Sequence, residues 1–158
     1  MTFPNPPARR FTVAGFTLVE LAVVVGMIAV LAAIAMPMYS GWQDKLKTKR
    51  AQDDIIAIAA VLDAYLLDNN KLPDDLAGVG RGGLKDPWGN AYEYLNLMTL
   101  KGNGKARKDH NLVPLNTDYD LYSKGPDGDS VSPLTAKASR DDIIRANNGR
   151  FIGPASSY

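Results

Sequence analysis

Between Glu20 and Asp44 no residue of this chain carries a formal charge, and the segment reads LAVVVGMIAVLAAIAMPMYSGWQ. As a helix, Leu21–Tyr39 would be about 28 Å long, close to the thickness of a bilayer's hydrocarbon core. The segment can therefore span a membrane. A secretory signal peptide would have a shorter apolar run with a small-residue cut after it; here Gly15 lies before the run. A plain anchor leaves Glu20 unexplained, since a carboxylate one turn inside an apolar helix is costly unless paired or interfacial. A cut between Gly15 and Phe16 would place a new amino terminus beside Glu20 and supply the missing cation. Residues 1–15 then form a short leader with Arg9 and Arg10. Charge does not orient the span: Lys45, Lys47, Lys49 and Arg50 follow it as Arg9 and Arg10 precede it.

The helical pattern continues past the apolar run. Asp44–Asp68 contains neither Pro nor Gly. Leu46, Ile55, Ile58, Ala59, Leu62, Tyr65 and Leu66 recur at three- and four-residue steps, an apolar stripe on an amphipathic helix. Lys47, Arg50, Asp53, Asp54 and Asp63 mark the polar face, and Asp68-Asn69-Asn70 with Pro73 mark the end. Such a helix, from Phe16 to Asp68, would be roughly 80 Å long. Pro37 and Gly41 predict a bend, with Gly26–Pro37 able to loosen in an assembly. Beyond it, Asp86-Pro87-Trp88-Gly89-Asn90 has turn chemistry, and strands are expected at Ala91–Leu95, Asn96–Leu100 and Tyr119–Ser123. Ser139-Arg140-Asp141-Asp142 reads as a capping box opening a short helix over Ile143–Asn148, closed by Gly149. Phe151 and Ile152 in the tail are expected to pack on the domain. The fold class is α+β: a long N-terminal α-helix, membrane-spanning in its first half, packed on a small antiparallel β-sheet domain. Its parts are a leader (1–15), an apolar helix (16–40), the amphipathic half of the same helix (41–70) and a globular β-sheet domain (71–158).

Several chemistries are excluded. There is no cysteine, hence no disulfide framework and no thiolate site. The one histidine, His110, rules against a Ser-His-Asp triad or a multi-His metal site. Gly78–Gly83 lacks the GK[ST] ending of a phosphate-binding loop. No nucleophile–base pair or catalytic metal cluster is visible, so the chain reads as a structural subunit rather than an enzyme. A net charge of +1 gives no pointer to nucleic acid. The locally basic stretch Lys101–His110 reads as a solvated hairpin tip in preference to a contact with DNA, an anionic surface or a neighbouring subunit. Asp118, Asp120, Asp127 and Asp129 crowd together, with Asp141 and Asp142 following. Such carboxylates either cap turns and stay solvated or supply oxygen ligands to a hard cation. The spacing is not that of an EF-hand.

Gly15-Phe16-Thr17-Leu18-Val19-Glu20, followed by the long apolar helix, resembles the cleavage and methylation motif of type IV prepilins and type II secretion pseudopilins. DPWGNAYEY (86–94) and Asp118–Ser123 with Gly125-Pro126-Asp127-Gly128 resemble segments of the major, G-type pseudopilins. The resemblance covers residues 15–70, 86–95 and 118–129. It implies cleavage by a prepilin peptidase after Gly15, N-methylation of Phe16, and pairing of Glu20 with the N-terminus of a neighbouring subunit. Pro37 sits where the family often places a proline. Calcium is implied in the loop after the Asp118–Ser123 strand, held by the carbonyl of Leu121, the Ser123 region, Asp127, Asp129 and Asp142, with Asp141 the alternative closing ligand. Residues 130–142, SVSPLTAKASRDD, depart from the family's usual Gly-rich acidic stretch there. The implied function is a structural subunit that polymerises with itself and other pilins or pseudopilins on an inner-membrane platform and supports type II secretion. The implied location is the bacterial inner membrane, single-pass with a periplasmic domain, and then a periplasmic or surface filament. Two alternatives remain at this point: a type IV pilin for adhesion, twitching or DNA uptake, and a membrane-anchored periplasmic binding module that never polymerises.

Overall fold

The structure, a computed structural model, describes residues 15–158; the leader residues before Gly15 lie outside the described part. The chain divides into two compact units at the Gly41–Trp42 junction.

One helix, α1, spans Leu18–Asn69. Its assignment runs unbroken through Pro37 and Gly41. It closes as the sequence implies: Asn70 adopts a left-handed φ of 53°, and Asn69 Nδ2 donates to the Tyr65 carbonyl at 2.9 Å. Both devices satisfy the carbonyl end of a helix. In the first unit the apolar side chains stay outside any core: Leu18, Met27, Leu31, Ile34 and Met36 are all more than half exposed. None of the most apolar 18-residue window is buried within the subunit.

In the second unit α1 becomes one-sided. Ala51, Ile55, Ile58, Ala59 and Leu62 are buried, with Leu66 packed beside them. Leu46, expected on this stripe, is 50% exposed instead. Four short antiparallel strands form the sheet in simple sequential order: β1 (Glu93–Asn96), β2 (Tyr119–Ser123), β3 (Ile143–Ala146) and β4 (Phe151–Pro154). Alternation along β2 and β3 divides their side chains between two clusters. Tyr119, Leu121 and Ile143 join the helix stripe with Leu72, Leu76 and Tyr92. Ile144 and Ala146 join Leu115, Leu134 and Ala155, with Tyr122 and Phe151 against them. The sheet is thus covered on both faces.

Two expectations fail. Residues 143–148 are not a helix: Ile143–Ala146 is an inner strand paired to β2 on one side and β4 on the other. Consecutive β-branched residues that must serve two opposite cores suit a strand, whose neighbours point to opposite faces. Ser139 does not cap a helix; its hydroxyl is tied to Val131, accepting from the N–H at 2.9 Å and donating to the carbonyl at 2.7 Å. Asn147 and Asn148, at φ 51° and 55°, turn the chain between β3 and β4, a conformation asparagine tolerates better than most residues. The second correction is at 96–100. The strand expected over 91–95 is placed at Glu93–Asn96, and no strand follows it: Asn96 Oδ1 accepts the N–H of Met98, and Leu100 N–H donates to Leu97 O. That local turn leaves Asn96 as the last residue paired with β2, opposite Tyr119. Tyr119–Ser123 is a strand as expected, and Phe151 and Ile152 pack on the domain as β4.

Candidate functional site

The start of α1 is built by Thr17 and Glu20. The Thr17 N–H and hydroxyl both donate to Glu20 Oε2 at 2.9 Å, while Glu20 N–H donates to Thr17 Oγ1 at 3.2 Å. This is a capping box, in which two otherwise orphaned helix N–H groups are satisfied reciprocally. Glu20 therefore has a local partner within its own chain, besides any amino terminus it meets later. The signal for it is local: the T-x-x-E spacing of Thr17 and Glu20 stands in the sequence. Gly15 and Phe16 precede the helix, fully open; Phe16 is 85% exposed. A side chain at Gly15 would meet no atom within 4 Å. Pro37 lies within the unbroken helix.

The six aspartates between Asp118 and Asp142 fall into two groups. Three point inward. Asp118 takes a two-pronged contact from Arg145, at 2.9 Å to Oδ1 and 2.7 Å to Oδ2. The Arg145 guanidinium also lies 4.0 Å over the Tyr119 ring, a cation–π arrangement. Asp120 is buried and accepts the Arg107 N–H at 2.7 Å and Asn116 Nδ2 at 2.9 Å. Asp142 is fully buried and paired with Arg107 Nη2 at 2.6 Å, and the Ser130 hydroxyl donates to the same oxygen at 2.6 Å. Burial pushes the carboxyls of Asp120 and Asp142 up, against the opposing pull of their hydrogen bonds and of Arg107. Desolvation of the charged form outweighs those contacts.

The other three sit at the rim. Asp127 and Asp129 are exposed and Asp141 half-buried. Asp129 N–H donates to Asp127 Oδ1 at 2.9 Å, and Asp127 N–H reaches Asp141 Oδ2 at 3.3 Å. Gly125, at φ 65°, lets the backbone pass against Asp141; an added Cβ would collide with the Asp141 carbonyl. Ser123 is engaged by the protein: its hydroxyl donates to Asp86 Oδ2 and accepts the Gly125 N–H. Asp86 Oδ1 meanwhile caps its own turn, accepting from Trp88 and Asn90, and Asn90 Nδ2 donates to the Gly125 carbonyl at 3.0 Å. The two segments that carry the family resemblance, 86–95 and 118–129, are thus bonded to each other.

The structure therefore splits the expected ligand set. The Leu121 side chain is in the core while its expected ligand is the carbonyl of β2, and Ser123 and Asp142 are held by protein partners. Asp127 and Asp129 stand at the rim with Asp141. Among the described residues no group of three or more His, Cys, Asp or Glu converges on one metal position. The rim offers carboxylate oxygens, the donor type a hard cation takes, but they do not converge on one position. Asp142 does not fit, because a guanidinium already neutralises it.

Arg107 is the residue that sequence reading misplaced. The 101–110 stretch is not wholly a solvated tip: Lys101 and Lys105 are exposed, and so is His110, beside Asp109, but Arg107 is 4% exposed. Its guanidinium stacks 4.2 Å over Tyr122 and donates to Ser130 and Asp142. The backbone bonds Lys108 N–H to Ser132 O and Leu134 N–H to Lys108 O, lacing this stretch to the 130–134 loop. No sequence signal pairs positions 107 and 142.

Tyr92, just before β1, and Tyr119 of β2 reach acids of α1 expected to face solvent. Tyr92 donates to Asp54 at 2.8 Å and Tyr119 to Asp63 at 3.0 Å. Burial first, and these carboxylates second, raise both phenols far above their ordinary value, although Arg145 pulls Tyr119 back.

Comparison with known proteins gives a consistent result. The chain is 37% identical over 141 residues to the type II secretion system core protein G of Pseudomonas aeruginosa, covering 76% of this chain and 88% of that protein. It is 33% identical to the protein of the same description from Escherichia coli K12, over 73% of this chain and 83% of that one. For the counterpart from Pectobacterium carotovorum the identity is 30%, over 72% and 76%. No protein-family model matches the chain, and no solved structure matches significantly.

Proposed function

The chain belongs to the type II secretion system core protein G family, and from that premise we infer how its residues serve a secretion pseudopilus. It is a structural, polymerising pseudopilin with the pilin fold, not an enzyme. It resides in the inner membrane as a single-pass protein with its globular part in the periplasm, and is processed by the peptidase and assembled on the inner-membrane platform. The observation that carries the mechanism is the apolar half of α1, none of whose most apolar 18-residue window is buried within the subunit. Lipid covers that surface before assembly, and neighbouring helices cover it afterwards.

In this reading, the peptidase cuts between Gly15 and Phe16, and the new amine is N-methylated. Both residues are open, with Phe16 85% exposed. Glu20 pairs with the amine of a neighbouring subunit. A carboxylate and an ammonium in a low-dielectric fibre core attract strongly, and either alone is costly there. The capping box has a second consequence: Glu20 enters the membrane already hydrogen-bonded by Thr17, which reduces the cost of waiting for its partner. The Gly26–Pro37 segment loosens during packing. Glu20→Ala is expected to leave the subunit in the membrane and abolish filaments, scored by shearing and electron microscopy, with intact mass confirming removal of residues 1–15. Filaments of normal number from that variant would refute the pairing; a subunit that never polymerises in any background would favour the anchored binding module.

For calcium, we propose a site on the rim of the acidic loop. Asp127, Asp129 and Asp141 supply carboxylates there, with the Leu121–Ser123 backbone behind them, and Asp142 takes no part. Such an ion would supply a cross-link in a domain without disulfides, and its binding free energy would add to folding. Chelator is then expected to lower the melting temperature of the detergent-solubilised subunit, and Asp127→Ala to remove that dependence. An unchanged melting temperature on chelation removes the ion from the reading.

A further inference from the structure

We propose that the solvent-facing stripe of α1 just beyond its membrane span, formed by Trp42, Lys45, Leu46, Lys49 and Arg50, docks on anionic phospholipid headgroups of the periplasmic leaflet while the subunit awaits assembly. The proposal rests on the membrane placement given above.

At 100° per residue these five positions share the side of the helix opposite Ala51, Ile55, Ile58 and Leu62, which face the sheet. All five are exposed, Trp42 by 58% and Leu46 by 50%. Two apolar side chains flanked by cations form the pattern of a helix surface lying at a lipid interface. Lys45, Lys47, Lys49 and Arg50 supply four positive charges in six residues, against Asp44 and Asp53 nearby. Lys49 pairs with Asp53 at 2.8 Å. Among the described residues Lys45, Lys47 and Arg50 have no ion-pair partner. Cations on the far side of a span run against the bias that orients membrane proteins, so their presence there calls for a local cause.

Helix geometry favours this partner. Every Cα–Cβ bond of an α-helix tilts toward the N-terminus. In α1 the N-terminal direction leads back to the span, so the Cα–Cβ bonds of Lys45 and Arg50 lean that way, whereas the Lys49 ammonium reaches one turn the other way to Asp53. Trp42 follows the uncharged run directly, at the headgroup level where its amphipathic ring is favoured. The attraction is electrostatic and shallow, which suits a subunit that is held before assembly and then released from the bilayer.

The test uses the full-length subunit in nanodiscs at one copy per disc, with Trp42→Phe as the control for Trp88. Lipids brominated high on the acyl chain, either phosphatidylglycerol or phosphatidylcholine, are incorporated at equal mole fraction. Roughly fivefold local enrichment of anionic lipid per engaged cation is expected at low salt. Brominated phosphatidylglycerol should therefore quench Trp42 several-fold more strongly than brominated phosphatidylcholine. The preference should fall with added salt, vanish in Lys45→Gln/Lys49→Gln/Arg50→Gln, and survive Lys45→Arg/Lys49→Arg. Equal quenching by the two lipids, or a preference unchanged in the triple glutamine variant, overturns the proposal. A preference seen only with two or more copies per disc also overturns it, because the occupant is then a second subunit. A subunit absent from the discs altogether overturns the membrane placement as well, which separates the two failures.

Discussion

The two halves of α1 have nearly the same backbone and opposite relations to their own subunit. Leu31 is 67% exposed and Leu62 is 0% exposed, although both are leucines in one continuous helix. The first half is apolar all round, and none of its most apolar 18-residue window is buried in its own subunit; the second is apolar on one side and carries the core of a domain. A helix that does not choose a face is solvated by lipid or by copies of itself, whereas one that does choose is committed to its own chain. One element can therefore be handed from membrane to fibre at one end while its other end keeps a domain folded.

Substitutions that separate stability from assembly sharpen this contrast. The largest effect on stability is expected within the second unit. Arg107→Met would leave Asp142 buried without its counter-ion, costing about 3–5 kcal/mol in urea unfolding of the detergent-solubilised subunit. The loss should shrink in acid, where a protonated Asp142 needs no counter-ion; an equal loss at all pH values would show that packing over Tyr122, not charge, is what Arg107 contributes. Next, Leu62→Ala should cost about 2–5 kcal/mol as a core cavity, while Leu31→Ala leaves the same unfolding transition unchanged and weakens only filament formation. If both moved the transition equally, the contrast between the halves would be broken.

The smallest effect concerns Asp120. Burial holds its carboxyl above the ordinary value of 3.8, so the folded state keeps a proton where the unfolded chain has lost it. By linkage, its contribution to stability falls as pH rises through that window. Asp120→Asn should flatten that part of the decline as pH rises above the ordinary carboxylate range, read from urea unfolding at a series of pH values. Asp142 has the same sign and remains, so the slope is reduced and not abolished. An unaltered slope would mean that Asp120 is ionised throughout.

Reading along the chain recovered α1, its end at Asn69–Asn70, strand β2 and the turn at Asp86–Asn90, because each is written in neighbouring residues. It missed β3: Ile143–Ala146 is strand only because β2 and β4 flank it, and its local neighbours Ser139 and Gly149 mimic helix ends. The acidic loop divides in the same way. Six aspartates close in sequence look alike, yet Asp118 and Asp142 are claimed by Arg145 and Arg107, respectively 27 and 35 positions away. Asp120 is held by Arg107 and Asn116. Only the remaining three stay at the rim. At the front of α1 the miss was of a different kind: Thr17 and Glu20 were legible as a capping box, since both partners lie within four residues.

The membrane span, the helix that extends it, the family motif and the absence of thiol chemistry were determined by the sequence alone, because each depends on residues within a few turns of one another or on composition. The tertiary structure decided which aspartates are neutralised inside and which stay at the exposed rim, and whether 143–146 is helix or strand. The physical reason is distance along the chain: burial and charge pairing between residues tens of positions apart exist only once the sheet has brought them together.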